Sequence, residues 1–218
     1  MGKCVIFCAG DFDGLAAPLD SGDYLIAADG GVRHLERLGR EPDAILGDFD
    51  SLGYIPRDAV VFPVEKDDTD SMLALRHGLA MGFREFWLYG ALDGRRLDHA
   101  LANFQALQFL RERDARGWLI GRDTLVTVIR GERAVFPGNA DGILSVFCLG
   151  ADARGVTIRG LKYPLEGQTL SSDFPLGVSN HFIGETAEIS VAEGCLLLMW
   201  GRENGFPTIS DIGDPTSH

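Results

Sequence analysis

Residues 24–47 read YLIAADGGVRHLERLGREPDAILG, and the fold class follows from this stretch. An apolar run at residues 24–28 ends in Asp-Gly-Gly, residues 31–38 carry apolar side chains at helical spacing, and a short apolar run returns at residues 44–46. Both runs are apolar at every position, which is typical of strands buried on both faces of a sheet. The stretch therefore predicts a strand, a helix and a second strand parallel to the first.

The same alternation occurs before and after this stretch. Apolar runs predict strands at residues 3–9, 60–64 and 85–92, and helical spacing predicts helices at residues 69–81 and 98–113. Strands that alternate with helices indicate a parallel sheet with helices on its faces. The first half of the chain is therefore expected to be an α/β domain.

The pattern changes after Gly117. Short β-rich runs, separated by Gly, Asp and Asn, follow at residues 125–130, 143–149, 156–159 and 187–191. Runs of this kind are typical of an antiparallel sandwich or barrel. We therefore expect an N-terminal parallel-sheet α/β domain over residues 1–116 and a C-terminal antiparallel β-sandwich domain over residues 117–218. Within the second domain, residues from about 203 onward are expected to form a loosely held tail.

Composition limits the function. The chain has 218 residues, with 20 Lys and Arg against 32 Asp and Glu, and a formal net charge of -12. This acidity argues against a nucleic-acid partner, because nucleic-acid binding depends on clustered basic side chains. No apolar run is long enough to cross a bilayer, and the N-terminus lacks the apolar length of a secretory signal. The four cysteines lie in or beside apolar runs without zinc-ligand spacing, so we expect reduced thiols and a cytoplasmic protein without a membrane partner.

Two acidic loops follow predicted strands. Asp48 and Asp50 come directly after the strand at residues 44–46, and Asp70 ends a second loop, Asp67-Asp68-Thr69-Asp70. Thr69 or Asp68 could cap the helix that begins there, and Asp70 suits its positive first turn. Capping does not require so many carboxylates, however, and loops at the carboxyl ends of strands line the ligand crevice of an open α/β sheet. We therefore favour coordination of Mg²⁺ by these acids.

A third loop, residues 90–99, joins a predicted strand to a helix. Gly94 permits a tight turn, and Arg95 and Arg96 could hold phosphate oxygens. Asp98 could cap the helix or reach the acidic cluster. The loop is therefore a candidate for phosphate and metal contacts.

Two further places could contact a phosphate-bearing ligand. His99 and Asn103 lie four residues apart on one helical face, which either packs on the sheet or borders the crevice. Asp29, Gly30 and Gly31 open the helix after the second strand. Paired glycines let the main chain approach a phosphate, but they also occur in ordinary turns.

One motif points to a different chemistry. Residues 5–15, VIFCAGDFDGL, look like the opening motif of haloacid-dehalogenase-type phosphohydrolases, in which the first Asp is a nucleophile. That motif expects Thr where this chain has Leu15, and it has no Ala-Gly before the Asp that corresponds to Asp11. A phosphohydrolase using Asp11 stays an alternative, as does a non-catalytic ligand-binding protein. A P-loop enzyme is excluded, because no Gly-x-x-x-x-Gly-Lys-Ser/Thr motif is present.

Six short motifs follow one another along the chain. They are Ala28-Asp29-Gly30-Gly31, Gly47-Asp48-Phe49-Asp50-Ser51, Asp67-x-Thr69-Asp70, Arg96-Leu97-Asp98-His99-Ala100-Leu101-Ala102-Asn103, Gly160-Leu161-Lys162-Tyr163-Pro164-Leu165 and Gly177-Val178-Ser179-Asn180. In this order, and over both halves of the chain, they resemble the thiamine pyrophosphokinase family. The resemblance implies an α/β domain, a β-sandwich, and a homodimer with active sites between the subunits.

The resemblance also implies roles for individual residues. Asp48, Asp50 and Asp70 match acids that hold Mg²⁺, and Asp98 completes the acidic cluster. The Ser-Asn turn that meets thiamine corresponds to Ser179 and Asn180. Candidates for contacting ATP are Asp29, Gly30, Gly31, Arg95, Arg96, His99 and Asn103. In one departure, the family often has Gly-Gly-Arg before x-Asp-His, whereas Gly94 is followed here by two arginines.

The implied reaction moves the pyrophosphoryl group of ATP to the hydroxyl of thiamine and gives thiamine diphosphate and AMP. Attack of an alcohol on the β-phosphorus depends on charge neutralisation and alignment more than on covalent help. A strong base is unnecessary in a loose transition state, so Asp98 or Asp70 could accept the hydroxyl proton late. An acidic crevice with a nearby aromatic side chain such as Phe174 would suit the cationic, aromatic thiamine.

Overall fold

The computed structural model describes residues 2–47, 60–61, 68–94 and 96–213. It divides into two compact units, residues 1–122 and residues 123–218. Within the described residues, the first unit contains β1 (Cys4–Phe7), β2 (Tyr24–Ala28), a short 3-10 helix (Asp29–Gly31), α1 (Val32–Arg37), β3 (Ala44–Gly47), β4 (Val60–Val61), α2 (Asp70–Ala80), β5 (Glu85–Tyr89), α3 (Leu97–Arg111) and β6 (Arg116–Ile120).

The strands of the first unit lie in the order β6-β5-β1-β2-β3-β4, and every neighbouring pair is parallel. The predicted parallel sheet is therefore confirmed. β1 is buried along its whole length, because β2 and β5 flank it and helices pack against the sheet. The chain runs outward from β1 to β4 in one direction and returns through β5 on the other side, so the order reverses between β1 and β5. In open sheets, ligands bind beyond the carboxyl ends of the strands at such a reversal.

The second unit is antiparallel. Its strands are β7 (Thr124–Ile129), β8 (Glu132–Phe136), β9 (Ile143–Cys148), β10 (Ala153–Arg159), β11 (Leu165–Leu170), β12 (Asn180–His181), β13 (Ala187–Ser190), β14 (Leu196–Gly201) and β15 (Thr208–Asp211). One layer has the order β12-β9-β14-β7 and the other β11-β10-β13-β8-β15. Phe136 on β8 contacts Trp200 on β14 with ring centroids 5.2 Å apart, so the two layers share an aromatic core. The predicted β-sandwich is confirmed.

Two boundaries differ from the sequence prediction. β6 pairs in parallel with β5, with Trp87 opposite Trp118, so the chain leaves the first unit after Arg122 and not after residue 116. The expected tail also contains a strand, because β15 pairs with β8 from Thr208 to Asp211. Only the residues after this strand are left as a terminal segment.

Two expectations from composition can be compared with the structure. Cys4, Cys8 and Cys195 are buried free thiols, and Cys148 is a half-buried free thiol. None of the described helices is long and apolar enough to cross a membrane.

Candidate active site

Two carboxylates, those of Asp29 and Asp70, act electrostatically on the Cys8 thiol, which lies directly after β1. Asp29 follows β2 and Asp70 begins α2. Burial, and after it the negative charges of Asp70 and Asp29, raise the pKa of the Cys8 thiol to about 12. Asp29 follows β2 and Asp70 comes after β4, so both lie toward the carboxyl edge of the parallel sheet, near enough for their charges to act on the Cys8 thiol. The thiol stays protonated at neutral pH and is not a nucleophile there.

Asp29 lies against the end of the third strand. A Cβ atom built on Gly47 would lie 3.0 Å from the Cα atom of Asp29, so the two backbones touch directly. The predicted magnesium ligands Asp48 and Asp50 come next in the chain and lie outside the described residues. In the part of the chain that the structure describes, no group of three or more His, Cys, Asp or Glu side chains is placed to hold a metal ion.

The glycines after Asp29 serve different purposes. Asp29 itself has a φ of 48°, in the left-handed region, and is buried. A Cβ atom on Gly31 would collide with the carbonyl oxygen of Phe7, so this glycine lets the start of α1 approach β1. Gly30 lines a cavity described below. Close packing therefore explains why residue 31 is a glycine, whereas Gly30 lies beside the open space of the cavity.

The loops after β1 and β5 pair through their main chains. Cys8 N donates to Tyr89 O at 2.8 Å, Gly10 N to Gly90 O at 2.9 Å, and Asp11 N to Asp93 O at 2.7 Å. Gly90 has a φ of 64°, which ends β5 in the left-handed region. Gly94, where the sequence suggested a tight turn, has no positive φ. Main-chain atoms therefore fill the space directly beyond β1 and β5, so a ligand would have to lie beside these two paired loops.

Asn103 connects the loop after β5 to the start of α2. Its side chain is 5% exposed; Nδ2 donates to Ala91 O at 2.7 Å, and Oδ1 accepts from Ser71 Oγ at 2.8 Å. The Ser71 hydroxyl lies 3.0 Å from Thr69 Oγ1, which in turn accepts from Met72 N and caps α2. Of the two predicted caps, Thr69 is therefore confirmed. The carboxamide of Asn103 braces the helix that begins with Asp70.

Asp98 and Arg96 form an exposed ion pair at the start of α3. Arg96 Nη2 lies 2.5 Å from Asp98 Oδ2, and this hydrogen bond holds the pKa of Asp98 at about 2. Asp98 is therefore ionised at neutral pH. The helix has no side-chain cap, so Asp98 does not cap it. His99 is exposed beside this pair, and Arg95 lies outside the described residues.

A cavity of about 440 Å³ opens between the loop after β1 and α1. It is lined by Ala9, Gly10, Asp11, Phe12, Asp13, Gly30, Arg33, His34, Arg37 and Arg122. Asp13 forms an ion pair of 2.5 Å with Arg122 at its rim. Arg33, His34 and Arg37 belong to none of the sequence motifs described above. The sequence could have indicated the two arginines, because Arg33 and Arg37 are four residues apart and share one helical face.

His34 forms one wall of this cavity. Its Nε2 atom lies 2.8 Å from Gly10 O, and its ring lies 5.2 Å from that of Phe12. Burial lowers the pKa of His34, although the Gly10 carbonyl and Asp11 act in the opposite direction. His34 is therefore a neutral, structural side chain that fixes the loop after β1.

In the second unit, the Ser179-Asn180 turn meets the segment around Tyr163. Asn180 is 3% exposed; its Oδ1 accepts from Tyr163 N at 2.9 Å, and its Nδ2 donates to Tyr163 O at 2.8 Å. Ser179 is exposed with a φ of 58°, and its main-chain N donates to Ser145 Oγ at 3.1 Å. The fold thus brings together the two late motifs. Asn180 holds the turn, and Ser179 is exposed on it.

Several large apolar side chains of the second unit are exposed. They are Ile143, Tyr163, Phe174, Leu176, Val178, Ile183 and Ile212. Phe174, the aromatic residue suggested by the sequence, is 64% exposed and borders a small cavity of about 120 Å³ beside Cys148. Exposed apolar side chains that lie near one another often mark binding surfaces.

Comparisons with known proteins agree with this architecture. The model "Thiamin pyrophosphokinase, catalytic domain" matches residues 15–119, and the model "Thiamin pyrophosphokinase, vitamin B1 binding domain" matches residues 136–196. The curated thiamine pyrophosphokinase of Bacillus subtilis (strain 168) is 28% identical over 183 residues, covering 80% of this chain and 85% of the relative.

Solved structures show the same likeness. The crystal structure of thiamine pyrophosphokinase from Bacillus subtilis has a TM-score of 0.81 and 25% identity, covering 91% of this chain and 98% of that chain. A thiamin pyrophosphokinase family protein from Enterococcus faecalis has a TM-score of 0.76 and 26% identity, covering 92% and 99%. The two domain models, in order, together span about three quarters of the sequence. The chain is therefore an enzyme of the thiamin pyrophosphokinase family.

Proposed function

We propose that this enzyme transfers the pyrophosphoryl group of ATP to the hydroxyl of thiamine and forms thiamine diphosphate and AMP. The observation that carries the proposal is the ordered match of a catalytic-domain model and a vitamin B1 binding-domain model to the two units of the fold. The placement of Asp29 and Asp70 toward the carboxyl edge of the parallel sheet supports it.

The donor set at this edge suits a hard divalent cation. Mg²⁺ prefers carboxylate oxygens and keeps water and phosphate oxygens in its shell. We propose that Asp48, Asp50 and Asp70 hold it. When bound, Mg²⁺ would neutralise the charge of the phosphate groups and lower the barrier to attack. The fit is supported by Asp70 lying near Cys8 and by Gly47, which precedes Asp48, touching Asp29.

Proton transfer needs little from the protein in a loose transition state. Asp98, with a pKa of about 2, is a weak base in its pair with Arg96. We propose that Asp70 accepts the hydroxyl proton late, and that Asp98 contributes as a permanent negative charge. A phosphate that reaches Arg96 would compete with Asp98 for its guanidinium.

Thiamine binding is assigned to the second unit. Ser179 offers an exposed hydroxyl for a hydrogen bond to thiamine, and Asn180 fixes the turn on which Ser179 lies. We propose that the thiamine sites form in a homodimer, between subunits. The exposed apolar side chains of the second unit support this, because such surfaces are commonly buried in dimers. Light scattering that gives a monomer mass for the fully active enzyme would exclude the dimer.

We expect the enzyme to act in the cytoplasm. All four cysteines are free thiols, and proteins of reducing compartments usually keep their cysteines in this form. Localisation of the tagged full chain by fractionation tests this expectation. Recovery from an extracellular or membrane fraction would contradict it.

The products test the reaction. The enzyme is incubated with ATP, Mg²⁺ and thiamine, and the nucleotides and thiamine esters are separated by chromatography. AMP formed in step with thiamine diphosphate supports the proposal. ADP with thiamine monophosphate would show attack on the γ-phosphorus, and free phosphate without thiamine dependence would restore the phosphohydrolase alternative that uses Asp11.

A further inference from the structure

We propose that Arg122 is a positioning residue for pyrophosphoryl transfer. It is the last residue of the first unit, just after β6, and it bonds to the loop after β1 and to the loop after β5. By fixing these two loops relative to one another, it sets the geometry of the acids at the carboxyl edge of the sheet. The inference rests on the proposed function and adds a residue that belongs to none of the sequence motifs.

Arg122 holds the loop after β1 through its side chain. Its Nε atom donates a hydrogen bond of 2.5 Å to Asp13 Oδ2, although the two residues are 109 positions apart in the chain. Asp13 lies within residues 8–23, which form neither helix nor strand. The bond joins opposite charges, and charge-assisted hydrogen bonds are stronger than neutral ones. It therefore ties an irregular segment to the end of a sheet strand.

Arg122 holds the loop after β5 through its main chain. Its N–H donates a hydrogen bond of 2.5 Å to Asp93 Oδ2. Gly121 makes room for this contact, because a Cβ atom built on it would lie 2.6 Å from the same carboxylate oxygen. The approach of Asp93 therefore explains why residue 121 is a glycine.

The same two loops also bond to each other, and Asp93 takes part in both contacts. Its main-chain oxygen accepts a hydrogen bond of 2.7 Å from Asp11 N, while its carboxylate accepts the bond from Arg122 N. Asp11 and Asp13 are two positions apart in the loop after β1. The bonds from Arg122 to Asp93, from Asp93 to Asp11 and from Asp13 back to Arg122 therefore form a closed ring, which limits movement of one loop against the other.

This ring lies between the two groups of acids at the carboxyl edge. The loop after β1 begins at Cys8, on whose thiol the charges of Asp29 and Asp70 act. The loop after β5 leads to the start of α3, where Asp98 lies. A shift of one loop against the other therefore displaces the side chains at this edge. Displacements of about 1 Å can cost on the order of 100-fold in rate.

The exposure of the ion pair separates positioning from stability. The side chains of Arg122 and Asp13 are 60% and 44% exposed. Exposed ion pairs contribute little to the free energy of unfolding, so Arg122→Ala should unfold within roughly 4 °C of the unmodified protein. A large loss of turnover in this variant therefore cannot be ascribed to unfolding.

Amide hydrogen exchange tests the ring without any substrate. NMR on the full chain follows the N–H groups of Gly10 and Asp11, which donate to the loop after β5. In Arg122→Ala, both should exchange roughly twofold to fivefold faster, whereas Ile6 in the buried strand β1 should not change. Arg159→Ala is the matched control, because it removes a similarly exposed ion pair, with Glu166, from the second unit.

Kinetics test the consequence for the reaction. In Arg122→Ala, kcat for thiamine diphosphate formation should fall roughly tenfold, while KM for thiamine should stay the same. Arg122→Lys keeps a positive charge within reach of Asp13 and should recover most of kcat. Asp13→Ala should lose as much as Arg122→Ala, and the double variant should lose no more than either single variant. Arg159→Ala should behave as the unmodified enzyme.

The outcomes separate this inference from the proposed function. Unchanged exchange at Gly10 and Asp11 in Arg122→Ala would overturn the inference, whatever product the enzyme forms. A normal kcat beside faster exchange would also overturn it, as would losses from Asp13→Ala and Arg122→Ala that add in the double variant. If the unmodified enzyme forms no thiamine diphosphate, the proposed function fails, and faster exchange in Arg122→Ala would still show that Arg122 fixes the two loops.

Discussion

Ser71 on α2 donates a hydrogen bond of 2.8 Å to the side chain of Asn103 on α3. Both residues are buried, and the other end of the Asn103 carboxamide donates to Ala91 O after β5. One side chain thus joins the start of the helix that carries Asp70 to the helix that carries Asp98. The relative placement of these acids depends on a polar contact inside the first unit.

Replacing Asn103 with Ala should lower the free energy of unfolding by about 1–3 kcal/mol, because Ser71 and the Ala91 carbonyl lose their buried partner. Urea denaturation measures this change. Gln105→Ala, an exposed change on the same helix, should stay within about 0.5 kcal/mol of the unmodified protein. A stable Asn103→Ala variant that has lost only nucleotide binding would instead make Asn103 a ligand contact.

Gly10→Ala should destabilise the first unit and reduce activity. The new Cβ atom would lie 2.5 Å from Asp93 O and would also collide with Gly90 O, so the paired loops after β1 and β5 must separate. Overpacking of this kind costs roughly 1–3 kcal/mol. Gly94→Ala is the control, since its nearest neighbour would be Gly10 Cα at 3.9 Å. Equal thermal unfolding temperatures for the two variants would contradict the proposed close contact.

Stability should fall as the pH drops below the ordinary histidine pKa of about 6.5. Burial lowers the pKa of His34 in the folded protein, so between its lowered value and 6.5 the unfolded chain binds more protons. The contribution is complete above pH 6.5 and is lost as the pH falls through the folded pKa. Chemical denaturation from pH 5 to 8 should show a smaller dependence of stability on pH for His34→Gln than for the unmodified protein, and an equal dependence would contradict this prediction.

Arg96→Ala should raise the pKa of Asp98. The hydrogen bond from Arg96 is the largest cause of its low pKa of about 2, so its removal should return the carboxyl toward about 3.9. Carbon-13 NMR titration of the Asp98 carboxyl measures this shift. An unchanged titration in the variant would show that the ion pair does not persist in solution.

Turnover should require a divalent cation. Dialysis against EDTA should abolish it and Mg²⁺ should restore it, because the proposed acids bind oxygen-preferring metals. Asp48→Asn and Asp50→Asn should each lose most activity while still folding, and Asp11→Asn should lose far less. Full activity in EDTA, or an inactive Asp11→Asn beside a normal Asp48→Asn, would reject the metal assignment.

The regular elements were largely predictable because their signals are local. β2 was predicted at the residues where it occurs, and helical spacing located α2 and α3 to within two residues at either end. The boundary between the two units, which follows β6, was not predictable. The apolar run of β6 would be the same in a strand of the parallel sheet and in a strand of the sandwich. β15 was missed for a related reason. Its residues show no strong pattern, and pairing with β8 alone makes them a strand.

The candidate site was less predictable than the fold. Sequence motifs singled out Asp70, Asp98, Asn103 and Asn180 as candidates, but they could not show that Asn103 and Asn180 bond to partners within the fold. Such partners are distant in sequence, as Ser71 is from Asn103. The sequence shows that Arg33 and Arg37 are four residues apart, but only the structure shows that both line a cavity.

The contact between Asn180 and Tyr163 has a consequence for sequence variation. The Asn180 carboxamide accepts a hydrogen bond from the N–H of Tyr163 and donates one to its C=O, as a neighbouring strand would. These two hydrogen bonds involve only main-chain atoms of Tyr163. The side chains at Lys162 and Tyr163 are therefore free to change without loss of the turn. Asn180 has no such freedom: an isosteric Asp would set a charged oxygen against the Tyr163 carbonyl, and a Gln would be one methylene too long. Related chains can thus vary the surface that meets a ligand while one amide keeps its shape.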